Sequence, residues 1–155
     1  MHTIALTNRQ ARRFMLLKHG LLGGYKFRGP QGVCDFVKQV GCVQYDPIDV
    51  CGKNAELVFQ SRVEGFTKQM LYDLLYKDRK LLDYFDKNMA IFCSEDWKYF
   101  SRTRDFYRSN GKSKEQVDTA AGEIASIIRE KGAVCSKDIH FKDSVDWYWS
   151  STSLS

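Results

Sequence analysis

Capped helical patterns parted by glycines, short strand patterns between them, and a helix-strand-helix order near the end predict a mainly α protein with small β-sheets. The chain has 155 residues, of which 43% are apolar, enough for one domain or two small ones sharing an interface. Lys and Arg exceed Asp and Glu by 24 to 19, a net charge of +5. That surplus is too small to imply nucleic acid by itself, but it is unevenly placed. Arg9, Arg12, Arg13, Lys18, Lys26 and Arg28 all precede the first acidic residue, Asp35.

Thr7 with Gln10 makes a capping box, and Ala11, Phe14 and Leu17 then recur at helical spacing up to Gly20. This predicts a first helix with arginines on its other side. Gly20, Gly23, Gly24, Gly29 and Pro30 crowd the following stretch, so residues 21–32 read as a loop carrying Lys26 and Arg28. It lacks the Gly-Lys-Ser/Thr signature and the preceding strand of a phosphate cradle, and a flexible arm touching a partner is expected instead. Val33, Phe36, Val37 and Val40 predict a short helix that Gly41 terminates.

The run from Cys42 to Val50 follows directly. Val43 and Tyr45 are strand formers, and Pro47 biases Asp46 to an extended backbone. Residues two apart in a strand share a face, so Gln44 and Asp46 would stand side by side about 7 Å apart at the backbone, able to hold one water. The alternative is that both line a solvated strand edge leading into a turn.

Asn54 to Val63 reads as another helix, with Leu57 and Val58 inward and Gly65 at its end. Thr67 then caps a run in which Leu71, Leu74 and Leu75 face inward, with Lys77, Arg79 and Lys80 loading its carboxyl end. Leu82 to Cys93 supplies one or two short strands around a turn at 86–88. Ser94 caps the next helix, which runs to about Tyr107. There Arg102, Arg104, Arg108 and Lys112 interleave with Tyr99, Phe100, Phe106 and Tyr107. Such a mixture suits backbone binding with base stacking, or else a solvated helix face whose aromatics belong to the core.

Asn110-Gly111 is the clearest break. Beyond it Ser113 and Gln116 form a second capping box, and Val117, Ala120, Ile124, Ile127 and Ile128 mark the inner face of a long helix closed by Gly132. Ala133 to Cys135 is a short extended piece, Ser136 caps a brief helix, and Trp147-Tyr148-Trp149 leads into Ser150-Ser151-Thr152 as the cap of a final helix. This is the order of the helical half of a winged helix-turn-helix module. Four residues after a cap are too few for a stable helix, so a longer parent protein is expected.

Cys34, Cys42, Cys51, Cys93 and Cys135 have no CxxC spacing and no suitably placed histidine, which argues against a zinc site and a disulfide framework. They read as reduced, mostly buried thiols of a cytoplasmic protein. The first residues lack a signal peptide's apolar run, and nowhere do 18 apolar residues run together, so no membrane partner is expected.

On these residues the sequence resembles the winged-helix DNA glycosylases that unhook alkylation crosslinks. The resemblance rests on the helix opening at Thr7-Asn8-Arg9-Gln10-Ala11-Arg12-Arg13, on Gly41 to Ile48, on Leu82-Asp83-Tyr84-Phe85, and on Trp147 to Thr152. Its most specific part is Gln44-Tyr45-Asp46, which matches the family's Gln-x-Asp pattern. The resemblance implies tandem winged helices, with residues 1–111 as the first module and 112–155 as the start of a truncated second. It departs from the family at Lys53-Asn54-Ala55-Glu56, where an arginine and histidine pair is frequent, and at Lys87, where a histidine is.

The implied function is monofunctional hydrolysis of the N-glycosidic bond of N7-alkylpurine or crosslinked nucleotides. Such a reaction develops oxocarbenium character at the sugar, so it needs nearby negative charge and an oriented water. Asp46 would stabilise that charge and act as general base, with Gln44 positioning the water. An N7-alkylated purine is already cationic, so no strong general acid is required. Arg12, Arg13, Lys26, Arg28, Lys53, Lys87, Arg102 and Arg104 are the expected DNA contacts. A monomer on double-stranded DNA, nucleoid-associated in a prokaryote, is expected, with no cofactor or metal and little activity from this stretch alone. Two other readings stand beside it: a non-catalytic winged-helix DNA-binding regulator, and a protein-interaction scaffold.

Overall fold

The structure, a computed structural model, describes residues 3–46, 48–86, 88–110, 114–139, 144–146 and 151–153, the last two stretches by their backbone. It is mainly helical with small sheets, as the sequence predicts. The chain divides into two units, Met1–Ser101 and Arg102–Ser155.

The first unit opens with α1 (Asn8–Lys18), and its capping box forms as predicted. Thr7 Oγ1 accepts from the Gln10 amide at 3.3 Å, while Gln10 Oε1 accepts from the Thr7 amide at 2.9 Å. None of the α1 residues is buried, and Phe14 and Leu17 are 57% and 47% exposed. The helix is held by its cap and by Gln39, whose side-chain amide donates to the Lys18 carbonyl.

The stretch expected to be a loop holds two elements. β1 (Phe27–Arg28) pairs in parallel with β3 (Val63–Glu64), and α2 (Gly29–Val40) begins earlier than its apolar repeat. Pro30 explains the early start, because its fixed φ and missing N–H suit the first helical turn. Gly32 then lets α2 lie against β1, since a Cβ there would sit 2.8 Å from the Phe27 carbonyl carbon. Val33, Phe36 and Val37 are buried as predicted, and Gly41 ends the helix at φ 87° with its amide on the Val37 carbonyl at 2.8 Å.

β2 (Val43–Gln44) follows, then α3 (Asn54–Gln60). α3 stops short of its predicted end because Val63 leaves the helix to pair with Phe27. Its buried residues are Ala55 and Phe59, while Leu57 is exposed and Val58 partly buried. α4 (Lys68–Tyr72) has Thr67 as its cap, with Oγ1 accepting from the Met70 amide at 3.3 Å. It runs into a π-helical turn, Asp73–Lys77, closed by the Asp78 amide on the Asp73 carbonyl at 2.8 Å. Leu71, Leu74 and Leu75 are buried on its inner side.

β4 (Leu81–Phe85) and β5 (Met89–Cys93) form the predicted hairpin, and β2 joins β5 to give the antiparallel order β2-β5-β4. Ser94 does not cap a helix with its side chain. Ser94–Phe100 is a 3₁₀ segment with Cys93 at its N-cap, and α5 (Ser101–Asn110) continues from it. The core gathers Phe27, Phe36 and Phe59 edge to face, with centroids 5.4 and 6.1 Å apart. Each such ring contributes about 1.5–3 kcal/mol by leaving water. The succession α2, β2, α3, α4, β4, β5 with this strand order is compatible with a winged helix-turn-helix.

In the second unit, α6 (Lys114–Lys131) is closed by Gly132 at φ 80°, whose amide reaches the Ile128 carbonyl at 2.9 Å. Ala120 is buried, whereas Val117 and Ile128 of the predicted inner face are exposed. Cys135, not Ser136, occupies the N-cap of the 3₁₀ turn Ser136–Asp138, and its amide donates to Asp138 Oδ2 at 3.0 Å. Ser151 and Thr152, expected to open a final helix, belong instead to β7 (Ser151–Ser153), antiparallel to β6 (Ser144–Asp146). Ser113 and residues 147–149 lie outside the described residues.

All five thiols are free, but the expectation that most are buried is corrected. Cys34 and Cys93 are buried, whereas Cys42, Cys51 and Cys135 are exposed. Among the described residues no helix is long and apolar enough to cross a membrane, and no cluster of metal-ligating side chains occurs.

Candidate active site

The Gln44 to Asp46 stretch sits at the edge of the three-stranded sheet. Val43 pairs with Ile91 and Gln44 with Ala90, and the Tyr45 amide continues the ladder onto the Met89 carbonyl at 2.9 Å. Strand alternation is therefore kept through Tyr45. Val43 is buried and Tyr45 packs partly against the core, so these two turn inward. Gln44 is exposed on the strand's other face, and Asp46, past the last ladder bond, is half-buried. The register places Gln44, Ala90 and Tyr84 in one row across the sheet, and Trp97 meets the Tyr84 ring at 5.0 Å.

Two local bonds fix this segment. Asn54 Nδ2, at the first residue of α3, donates to the Gln44 carbonyl at 3.1 Å. Asp46 Oδ1 accepts from the Ile48 amide at 3.0 Å, an Asx-type turn that aims the carboxylate along the chain beyond the strand. Among the described residues Asp46 Oδ2 meets no donor, which leaves it open to a ligand.

The predicted cations lie at separate places along the chain. Lys53 lies beside the motif, its Nζ 3.5 Å from the Tyr45 hydroxyl and 5.9 Å from that ring's centre. Arg12 and Arg13 are exposed on α1. Lys26 Nζ donates to Gln39 Oε1 and sits 5.1 Å from the Phe27 ring centre, and Arg28 Nε is paired with Glu64 Oε2 at 2.9 Å. Arg102 is exposed and Arg104 half-buried on α5, in the second unit. Lys87 lies outside the described residues. Of the aromatics around α5, Tyr99, Phe106 and Tyr107 are exposed, while Phe100 stacks on the buried Phe92 with ring centres 4.2 Å apart.

Sequence reasoning missed two features nearby. The position of Glu56, where the family pattern is broken, holds a carboxylate whose Oε2 is sealed from solvent and meets Lys68 Nζ at 2.7 Å. Tyr72 and Tyr76 form an exposed ring pair with centroids 5.0 Å apart. Burial raises the Tyr76 hydroxyl above its ordinary range, helped by the Asp83 carboxylate and by Tyr45 and Tyr72, which places these groups in one neighbourhood. The signal was available, because inward Leu71, Leu74 and Leu75 leave Tyr72 and Tyr76 to the outside.

An element order compatible with a winged helix-turn-helix, with an exposed amide at Gln44 on the sheet's edge strand and the Asp46 carboxylate just beyond it, suits a DNA-acting class of protein. The model of the family described as DNA glycosylase AlkZ-like matches residues 37–154, and the chain belongs to that family. This agrees with the resemblance carried by Gln44-Tyr45-Asp46, and it gives the chain a DNA-repair glycosylase role at the level of the family. No curated protein and no solved structure matches the chain significantly.

Proposed function

We propose that this chain carries the catalytic module of a monofunctional DNA glycosylase that hydrolyses the N-glycosidic bond of N7-alkylpurine or crosslinked nucleotides. The observation that supports the proposal is the exposed Gln44 amide on the edge strand with the Asp46 carboxylate two residues on, one of whose oxygens meets no donor among the described residues. Asp46 lies with its carboxylate toward the anomeric carbon, stabilises the developing oxocarbenium ion and takes the proton of the attacking water. Gln44 accepts from and donates to that water, holding it on the face opposite the leaving base. The cationic alkylpurine leaves without a general acid.

In this reading residues 1–111 are the first winged-helix module. Residues 112–155 begin a second. Arg12, Arg13, Lys26, Arg28, Lys53, Lys87, Arg102 and Arg104 supply phosphate contacts along double-stranded DNA. The protein works as a monomer in the cytoplasm, on the nucleoid if prokaryotic. Incubation of the longer parent protein with duplex DNA bearing N7-methylguanine, followed by detection of abasic sites, tests this; intact DNA after many equivalents of that protein would reject it.

One observation favours a second reading, a non-catalytic winged-helix DNA-binding protein. Asp46 Oδ1 already serves the Ile48 amide, the ordinary task of an aspartate at a turn. In that case DNA shifts by sequence, without base release.

A further inference from the structure

The outer face of α4 and its π-helical extension has no role in the hydrolysis described above. Tyr72 and Tyr76 stand there four residues apart, each 52% exposed, with rings 5.0 Å apart and inclined at 58°. Two large aromatic rings presented to solvent on one helix face need a reason, since a monomer gains nothing by leaving them wet. Neighbouring groups narrow the partner. Lys68 and Lys77 flank the pair along the helix, but both are engaged, by Glu56 at 2.7 Å and Asp73 at 2.8 Å.

The backbone beyond the pair is irregular twice over. Asp73–Lys77 forms a π-turn, which in helices is frequent at functional positions. Arg79 then takes φ 53°, a left-handed conformation where glycine or asparagine is usual. Among the described residues its guanidinium has no acidic partner. A strained, unpaired arginine three residues past Tyr76 is a cation kept where the backbone would favour glycine.

We infer that Tyr72 and Tyr76 are a stacking platform for an unstacked nucleobase of DNA, with Arg79 holding the adjoining phosphate. The inference rests on the DNA-acting reading of the chain and adds to it the group that receives a base once the duplex is opened. Stacking on aromatic rings tolerates any base, because every base has a π-face. The phosphate contact supplies the salt-dependent part of the affinity. Tyr45 and Asp83 lie in the same neighbourhood, so the platform adjoins the motif strand on the side of Val43 and Tyr45, across from Gln44.

The test uses the full 155-residue chain and a short single-stranded oligonucleotide carrying 2-aminopurine, whose fluorescence falls on stacking. Fluorescence should fall on binding. Tyr72→Leu and Tyr76→Leu should each weaken binding about fivefold or more and restore the emission, while Tyr→Phe at either position keeps both. Arg79→Gly, which suits φ 53° and so preserves the fold, should weaken binding and flatten its salt dependence with the quenching at saturation retained. Helical circular dichroism checks each variant. Leucine variants that are folded and bind and quench like the parent would overturn the proposal, as would loss on Tyr→Phe equal to loss on Tyr→Leu. Base release from alkylated duplex is scored on the same samples. Tyrosine-dependent quenching with no base release by the longer parent protein either upholds the platform and removes the glycosylase reading; base release with tyrosine-independent binding does the reverse.

Discussion

The side-chain amide of Asn54 donates to the main-chain carbonyl of Gln44 at 3.1 Å, tying the first residue of α3 to the end of the motif strand. The position of Gln44 is thus set from two sides, by this bond and by the ladder to β5. Asn54→Ala removes the helix-side restraint and should cost about 1 kcal/mol of stability. Under the glycosylase reading, single-turnover base release should fall while DNA affinity holds. Urea unfolding and a single-turnover time course measure the two effects, and affinity falling in step with rate would argue against a positioning role.

Arg28 and the α1 arginines differ in what they already hold. Arg28 is paired with Glu64 at 2.9 Å in an exposed ion pair, whereas Arg12 and Arg13 face solvent. If all three touch phosphate, Arg12→Ala and Arg13→Ala should each lower the slope of log affinity against log salt by about 0.9. Arg28→Ala should lower it less, since its charge is already offset in the free protein. Fluorescence anisotropy titrations across salt concentrations decide this, and equal slopes for every variant would remove the phosphate assignment.

Much of this architecture is written in local chemistry. The Thr7-Gln10 box, the stop at Gly41, the Thr67 cap and the hairpin from Leu81 to Cys93 each depend on residues close in sequence, and each forms. What the sequence did not disclose depends on distant partners. β1 and β3 are two residues long, and Val63 becomes a strand residue because Phe27 lies beside it, not because of its neighbours. Ser94 resembles a cap but is followed by a 3₁₀ segment with no bond to its side chain. At the candidate site, the outward turn of Gln44 was legible from strand period alone, whereas Asp46 lies past the last strand residue. The turn bond from Asp46 to Ile48 and the Tyr72-Tyr76 pair needed the folded chain.

Cys93 is buried against α2, its thiol on the Cys34 carbonyl at 3.9 Å, and burial pushes its pKa up to about 11. The Cys34 thiol is raised as well, by the same cause. A thiol that ionises at pH 9.0 in the unfolded chain and near 11 in the folded one holds its proton longer when folded. The unfolded state binds fewer protons in that interval, so stability is full below pH 9.0 and falls as pH rises toward 11. The loss should be on the order of 2 kcal/mol, and Cys93→Ala should flatten the decline at the cost of lower stability at neutral pH. Urea unfolding from pH 7 to 11 reads this directly, and parallel profiles for variant and parent would contradict it.

The central claim is that an outward carboxylate at residue 46 drives loss of an alkylated base. Its most direct measurement compares the longer parent protein with its Asp46→Asn variant on duplex DNA containing N7-methylguanine, following free base by chromatography and DNA binding by anisotropy. The account predicts base release by the parent, a fall of at least about 100-fold in the variant, as removal of a catalytic acid-base group produces, and nearly equal affinities. Equal rates of base release in the two proteins would contradict it.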